Sequence, residues 1–473
     1  MTLSFSMEAT LRFFLEAFSR AEADGAAPGA AWRVVAPVPV LPLLDMLGIL
    51  PGNRPVFSWL RPGERSFVGM DVALSVMGQG EQRFRQVQRR IEEQAHAVHT
   101  LGSGDASLPL LWFGGFRFDD NQTAGKAVWP TETDAWFVVP RWLYVQDPDG
   151  RAWLQYCRSP GDKTSQATWL VELQTWLAAC WGLRETAIPK RGGPSREVQV
   201  EETMLWTQWD GYLAAIGAAI QQGSVRKVVA ARCTKASWSD PVSVPRLVRW
   251  LALDHKTATC FSLGGWGALA PAWEHVHFVG ATPETLVSKA GFEVYTEALA
   301  GTIPPGEGQA DRLLQSGKDR AEHDWVVSSI VEKLTPWVSE CIYNPIPAIK
   351  TLPHVLHLHT PIRARLWKKA SILEVVAQLH PTPAVCGVPA EAALELIQRH
   401  EAISRGWYAG PIGWVDQHGD GCFAVGLRSA WISPRQAWVF AGAGVVAGSD
   451  PAREYQETQW KQRVIMEVIR LLS

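Results

Sequence analysis

Strand-like runs follow one another directly through much of this chain, and its helical segments come in blocks. That order limits the fold more than any composition figure does. A parallel sheet needs a long crossover between neighbouring strands, usually a helix, whereas antiparallel strands can succeed one another through short turns. The expected class is α+β: antiparallel or mixed sheets covered by helices, without a repeating βαβ unit.

In the first half a helical pattern spans 8–20 and strands are expected at 31–40 and 55–60. The turn Arg61-Pro62-Gly63-Glu64 leads into a further strand, and 80–99 reads as a polar helix. Residues 108–119 (LPLLWFGGFRFD) are apolar with a glycine pair, as in a buried strand closely approached by another backbone. The runs 135–145 and 151–157 flank Asp147-Pro148-Asp149-Gly150, which is hairpin turn chemistry. A Trp-rich helix follows at 165–183. Residues 183–200 are polar, contain Pro189, Gly192, Gly193 and Pro194, and lack periodicity, so they read as a linker. The second half predicts helices at 205–222, 319–338, 371–379 and 451–472. Strands are expected at 225–232, 275–280, 292–297, 410–416, 422–432 and 436–441.

Composition narrows the function classes. With 473 residues the chain can build a sizeable core, in one unusually large domain or several at about 100–200 residues each. A net charge of −2 leaves no basic footprint for nucleic acid. No run of about 18 apolar residues predicts a membrane span. The N-terminal stretch lacks a basic region, and Glu8 and Glu16 interrupt its apolar residues, which argues against a signal peptide. The seven cysteines are dispersed without a Cys-x-x-Cys pair, as expected of free thiols in the cytoplasm. The 24 tryptophans form no repeat and read as core side chains.

Several residues could carry chemistry. In the last helix Ser449 and Asp450 can cap and Pro451 suits the first turn. Glu454 and Glu457 then lie one turn apart, with Lys461 a further turn on. Paired carboxylates repel unless a cation sits close by, and their hard oxygens suit Mg²⁺. Gly442-Ala443-Gly444 reads as a turn after an apolar strand, able to hold a carboxylate; the spacing does not fit a dinucleotide fingerprint. In the helix beginning KDRAEH, Val326, Ile330 and Leu334 mark a buried stripe that Glu322 heads, and a buried carboxylate needs a partner. Lys227 opens a Val-rich strand and Glu284 directly follows another, one candidate base and one candidate acid. Arg428, read as lying inside an apolar strand, is a candidate carboxylate clamp, with Tyr408 nearby in RGWYAGPIGW. Taken singly, each of these residues has an ordinary structural explanation.

Jointly they carry more. KVVAAR, FVGATPETL, TEALAGT, KDRAEH, LHPTPAVCG, RGWYAGPIGW, FAVGLRSA and AGAGVVAGSDPAREYQET, in this order across 205–473, resemble the chorismate-utilising enzymes, and the isochorismate synthases most closely. SFVGMDVA (66–73) and FGGFRFD (113–119) are weaker matches. The resemblance implies one large domain of two stacked mixed sheets flanked by helices, with 1–200 as its β-rich N-terminal portion and 201–473 as its catalytic portion. Residues 183–200 would then cross within that domain.

The implied reaction is Mg²⁺-dependent conversion of chorismate to isochorismate, with water added at C2 and the C4 hydroxyl lost. By the same resemblance Lys227 is the general base and Glu284 the general acid. Glu322 and Glu457 are the Mg²⁺ ligands, with Glu454 beside them or acting through water. Thr302, His380, Tyr408, Arg428, Gly442, Gly444 and Lys461 hold the substrate. Anthranilate synthases tend to carry Gln where Lys227 stands, and aminodeoxychorismate synthases often carry Lys where Ala300 stands. Salicylate synthases, which eliminate pyruvate from isochorismate, are the alternative, but usually depart from the Pro-Thr-Pro-Ala found here at 381–384. A siderophore-pathway synthase is a further alternative. The long N-terminal portion favours the menaquinone or phylloquinone pathway, and a monomer is the expected state.

Overall fold

Burial on both faces dictates how most strands of this chain are written. The computed structural model describes residues 6–23, 30–50, 54–101, 108–120, 129, 134–162, 164–182, 195–265, 275–352 and 355–472. In chain order the strands are β1 (Ala31–Val38), β2 (Val56–Leu60), β3 (Ser66–Gly78), β4 (Val98–Leu101), β5 (Leu111–Phe116), β6 (Ala135–Gln146), β7 (Ala152–Arg158), β8 (Gln199–Glu202), β9 (Lys227–Ser237), β10 (Thr259–Gly264) and β11 (His277–Thr282). They continue with β12 (Thr285–Ala290), β13 (Glu293–Ile303), β14 (Val338–Tyr343), β15 (Ala348–Thr351), β16 (Leu356–Leu366), β17 (Gly387–Val388), β18 (Pro411–Asp416), β19 (Gly421–Val425), β20 (Ser429–Ser433) and β21 (Gln436–Val446). The helices are α1 (Met7–Ala23), α2 (Leu43–Ile49), α3 (Arg83–Ala97), α4 (Gln166–Gly182), α5 (Trp206–Gln221), α6 (Val244–Asp254), α7 (Gln309–Gln315), α8 (Gly317–Leu334), α9 (Ile372–Leu379), α10 (Ala390–His400) and α11 (Pro451–Leu471).

All these strands join one hydrogen-bonded network, which divides at β6. Strand β6 pairs with β3 along one edge, and on the other with β7 at one end and β5 at the other. One limb runs β3–β2–β10–β11–β20–β21–β9, and the second runs β5–β18–β19–β12–β13–β16. Among the described pairings only β1–β4 is parallel, so the sheets are mixed by a single pair and otherwise antiparallel.

The two limbs face each other. Trp59 of β2 and Phe67 of β3 meet Phe113 of β5 with ring centroids 6.0 and 5.2 Å apart. This inner core also takes Val87 and Ile91 of α3, Val326 and Ile330 of α8, and Ile372 and Val376 of α9. The first limb turns its opposite side chains, such as Val56, Leu60 and Val279, into a second core under α1, α2, α4, α6 and α11. A strand buried on both faces does not alternate apolar with polar, which is why VFSWL is apolar but for Ser58, whose hydroxyl pairs with that of Ser262 at 2.8 Å. Each fully buried Leu, Val or Phe contributes about 1.5–3 kcal/mol. The tryptophans behave as core residues here: Trp59, Trp112, Trp136 and Trp209 lie in the inner cluster, and Trp142 and Trp169 in the outer one.

Three expectations need correction. Residues 422–432 are not one strand: Gly426, Leu427 and Arg428 separate β19 from β20, and Arg428 adopts φ +48°. The break is where the chain leaves the second limb for the first, since β19 pairs with β12 and β20 with β11. Gly442 and Gly444 do not form a turn but continue β21, opposite Ala231 and Val229 of β9. The helix expected to reach 338 ends at Leu334, and a short 3-10 turn holds Pro336, which cannot donate to a helix. Most of the expected linker, 183–194, lies outside the described residues.

Candidate active site

The first residue of β9 faces the N-terminal half of α8 across an open cleft between the two limbs. The cleft has about 970 Å³ of empty space when its open mouth is included. Lys227, Glu284, Ala300, Thr302, Glu322, Tyr408, Arg428, Gly442, Gly444, Glu454, Glu457 and Lys461 all line it. Eleven of the twelve expected site residues are therefore gathered together.

The twelfth, His380, is not among the lining residues. It caps the end of α9, its Nε2 lies 2.8 Å from the Phe118 carbonyl, and burial drives its pKa down to about 3. It is a neutral, hydrogen-bonded core histidine behind the Pro-Thr-Pro-Ala segment, whose Ala384 does reach the cleft.

Lys227 donates to Glu322 Oε1 at 2.8 Å, with only 2% and 13% of the two side chains exposed. The stripe Val326, Ile330 and Leu334 is buried as expected and turns Glu322 inward. The β21 glycines make room for this pair. A Cβ on Gly444 would stand 3.1 Å from Glu322 Oε1 and 3.2 Å from Lys227 Cε, and one on Gly442 would stand 3.0 Å from the Tyr408 hydroxyl.

Glu284 occupies the short link between β11 and β12. Its N–H donates to Thr282 Oγ1 at 3.3 Å and its carbonyl accepts from Val425 N–H at 3.1 Å. Burial, reinforced by the charge of Glu297, pushes its carboxyl up to about 7, against the pull of Lys350, Lys227 and Arg428. Glu297 behaves oppositely. Burial acts to raise it too, but bonds from His359 (2.7 Å), Lys350 (2.9 Å) and the Thr285 N–H (2.8 Å) bring it to about 2. One carboxyl is thus held near neutrality while its neighbour stays ionised.

Arg428 makes no side-chain hydrogen bond or ion pair among the described residues, an unusual state for a largely buried guanidinium; burial lowers its pKa. Tyr408 stacks on Phe440 at 5.3 Å, and burial raises its hydroxyl to about 12, so it stays a neutral donor. Lys461 donates to the Gly442 carbonyl at 2.8 Å and to Glu457 Oε1 at 2.5 Å. Thr302 Oγ1 lies 3.1 Å from Nδ1 of His357, whose pKa burial lowers to about 3.

Asp450 caps α11 through the Ala452 N–H at 2.8 Å, fixing where its acidic turn begins. Burial and the adjacent Glu457 push Glu454 up to about 7. Among the described residues no three His, Cys, Asp or Glu side chains form a ready metal cage. Glu322, Glu454 and Glu457 nevertheless face one cleft.

Sequence reasoning missed Lys318, Asp319 and His357, which also line the cleft, and Glu297 and Lys350 behind it. The first two head KDRAEH and Glu297 lies in TEALAGT. The motifs were in view, but only Glu322, Ala300 and Thr302 were singled out within them. His357 and Lys350 fall between the helices expected at 319–338 and 371–379, a stretch in which the sequence predicts no element.

The sequence profile of chorismate binding enzymes matches residues 22–470. A salicylate biosynthesis isochorismate synthase from Pseudomonas aeruginosa is 35% identical over 430 residues, covering 89% of this chain and 86% of the relative. An isochorismate synthase from Bacillus subtilis, MenF, is 31% identical, with 88% of each chain covered. Among solved structures, the menaquinone-specific isochorismate synthase MenF from Escherichia coli superposes with a TM-score of 0.75 at 24% identity, covering 96% of this chain and 99% of that one. Anthranilate synthase component I from Streptococcus pneumoniae gives 0.68 at 20% identity, covering 85% and 92%. These two share the fold.

Proposed function

The chain belongs to the family of chorismate binding enzymes, and we propose that it is an isomerase that interconverts chorismate and isochorismate. The observation that carries this reading is the pairing of an amine and a near-neutral carboxyl, Lys227 and Glu284, on one small polar cleft. A substrate with two carboxylates needs cationic and N–H or O–H donors, and Arg428, Lys461 and Tyr408 supply them. The full-length relatives named for isochorismate synthesis add support.

Lys227 takes a proton from water as the oxygen attacks ring carbon 2. Glu284 gives its proton to the hydroxyl leaving carbon 4, and the double bonds shift. One water enters and one leaves. Lys227 ends with an extra proton and Glu284 one short, and exchange with solvent resets both. General acid–base help of this kind is worth about 10²–10⁴ in rate per group. Arg428, without a side-chain partner among the described residues, is free to donate to a carboxylate in bidentate fashion.

The donor set fits Mg²⁺. Glu322, Glu454 and Glu457 offer hard oxygens; burial first and the neighbouring Glu457 second raise the Glu454 pKa, and a cation between them would offset the second effect. Mg²⁺ takes only one or two protein carboxylates and leaves positions for substrate and water, so a complete protein cage is not required. Glu322 and Glu457 would hold it, with Glu454 reached through water. When bound, the ion neutralises and orients the substrate's ring carboxylate.

Ala300, with Lys227, supports water addition over ammonia transfer, since a lysine at 300 would project into the cleft. The two relatives aligned over nearly the whole chain favour a quinone or salicylate route for the product over a siderophore one. Seven free cysteines support a reducing, cytoplasmic setting for the protein, which we take to act as a monomer. No described helix is long and apolar enough to cross a membrane.

The test is product identification by chromatography after incubating purified protein with chorismate in Mg²⁺ or EDTA. Isochorismate in equilibrium with chorismate, formed only with Mg²⁺, is expected. Salicylate with pyruvate would replace this reading by salicylate synthase, and no turnover would overturn it.

A further inference from the structure

The link carrying Glu284 is gripped from behind by groups that never reach the cleft lining. On one side of Glu284, the Pro283 carbonyl accepts from Lys350 Nζ at 2.8 Å. On the other, the Thr285 N–H donates to Glu297 Oε1 at 2.8 Å. Lys350 Nζ donates to Glu297 Oε2 at 2.9 Å, and His359 Nε2 on β16 donates to that same Oε2 at 2.7 Å. The cluster therefore spans β13, β15 and β16 and closes on both peptide groups flanking one side chain. Its placement costs desolvation of two charges, Glu297 being 4% and Lys350 22% exposed. Packing alone would be served as well by apolar residues of similar volume.

We propose that Glu297 and Lys350 are positioning residues for Glu284: they clamp the backbone on either side of it and set one negative and one positive charge behind its carboxyl. This rests on the assignment of Glu284 as the acid of the reaction. A general acid must carry its proton when substrate binds, and a fixed carboxylate at its back favours the protonated form while a fixed ammonium opposes it. The charged groups facing Glu284 are Glu297 on β13, Lys350 on β15, Lys227 on β9 and Arg428 between β19 and β20. Among them Glu297 alone is negative, so it is the one charge that adds to burial in holding the proton on. Its three donors keep Glu297 ionised, and the two neighbouring carboxyls thereby divide into one charged and one neutral member.

The charges predict opposite effects, which a merely structural role would not produce. In Glu297→Gln the amide can still accept the Thr285 N–H, but the negative charge is gone, so the Glu284 carboxyl should titrate about one pH unit lower. In Lys350→Met the opposing charge is gone and Glu284 should titrate higher. The measurement is carboxyl ¹³C NMR titration of protein labelled at glutamate, with the Glu284 signal identified by its loss in Glu284→Gln. The alkaline limb of kcat/KM for chorismate is followed alongside. Shifts down in Glu297→Gln and up in Lys350→Met, with the limb moving in parallel, are the expected result. A Glu284 titration unmoved in both folded variants overturns the proposal, whatever their turnover. If the wild-type protein fails to turn over chorismate, the functional reading falls, while the titration still decides whether the clamp tunes Glu284.

Discussion

Lys227 and Glu322, 95 positions apart in sequence, meet at 2.8 Å on the floor of the cleft, the first from the start of β9 and the second from α8. The pair ties the base to one of the carboxylates assigned to Mg²⁺. Both therefore act in one small volume.

Lys227→Gln should preserve the fold, because the amide can still donate to Glu322 and the cleft admits water. Removing one partner of a buried pair costs about 3–5 kcal/mol, and the amide, which keeps a donor but not the charge, recovers only part of it. Isochorismate formation should drop by about 10²–10⁴-fold, with a lowered thermal midpoint in a chain that still folds. Turnover near wild type in chromatographic assays would remove Lys227 from the role of base.

The pH profile follows from Glu284. Its carboxyl must be protonated to act, and its value in the folded protein is about 7 against an ordinary 4.5. On that basis kcat/KM should decline as pH rises through about 7, and Glu284→Gln should abolish turnover at every pH. Stability has the same sign: between 4.5 and 7 the folded chain keeps a proton that the unfolded chain releases, so this contribution is lost as pH rises. Urea titrations at pH 5 and pH 7.5 should show a smaller fall in stability for Glu284→Gln than for wild type.

For the metal, Glu457→Gln should eliminate saturable activation by Mg²⁺. Glu454→Gln, one water further out, should weaken apparent Mg²⁺ affinity by about 10–100-fold. Initial rates against free Mg²⁺ distinguish the two. Titration curves identical to wild type in both variants would place the ion elsewhere.

Legibility in the sequence varied with the kind of signal. The hairpin around Asp147-Pro148-Asp149-Gly150 was readable because turn chemistry is local: its flanking strands are β6 and β7. Arg428 was found as a residue but misplaced, since the chain passes from one limb to the other within an apolar stretch that offers only Gly426 as punctuation. His380 shares its motif with Ala384, yet points to the Phe118 carbonyl; the sequence does not reveal which side of a segment faces the cleft. Glu297 and Lys350 were invisible because a charged residue on a strand reads as an exposed one. Their partnership across β13 and β15 exists only in the folded register.

Gly442 and Gly444 show how a correct residue can carry a wrong reason, and they provide the sharpest substitution. Read as a turn, they would need glycine for its backbone freedom. In β21 neither has positive φ, so alanine suits the backbone, and Gly→Ala substitutions at compatible sites add about 0.4–1 kcal/mol through the unfolded state. What forbids a side chain is the space in front of the strand. Gly444→Ala sets a methyl against Lys227 Cε and Glu322 Oε1 at 3.2 and 3.1 Å, so both must give by a few tenths of an ångström. A displacement of that size at the base should lower kcat by about tenfold or more. Gly442→Ala instead crowds the Tyr408 hydroxyl at 3.0 Å, a group assigned to substrate binding, and should mainly raise KM. Gly442→Ala also meets the Ala230 carbonyl oxygen at 3.1 Å, so steady-state kinetics on the two variants, with thermal midpoints to show that both fold, test this division. Unfolding of both would mean that β21 cannot take a methyl at either position, and unchanged kinetics in both would mean that neither methyl reaches the site.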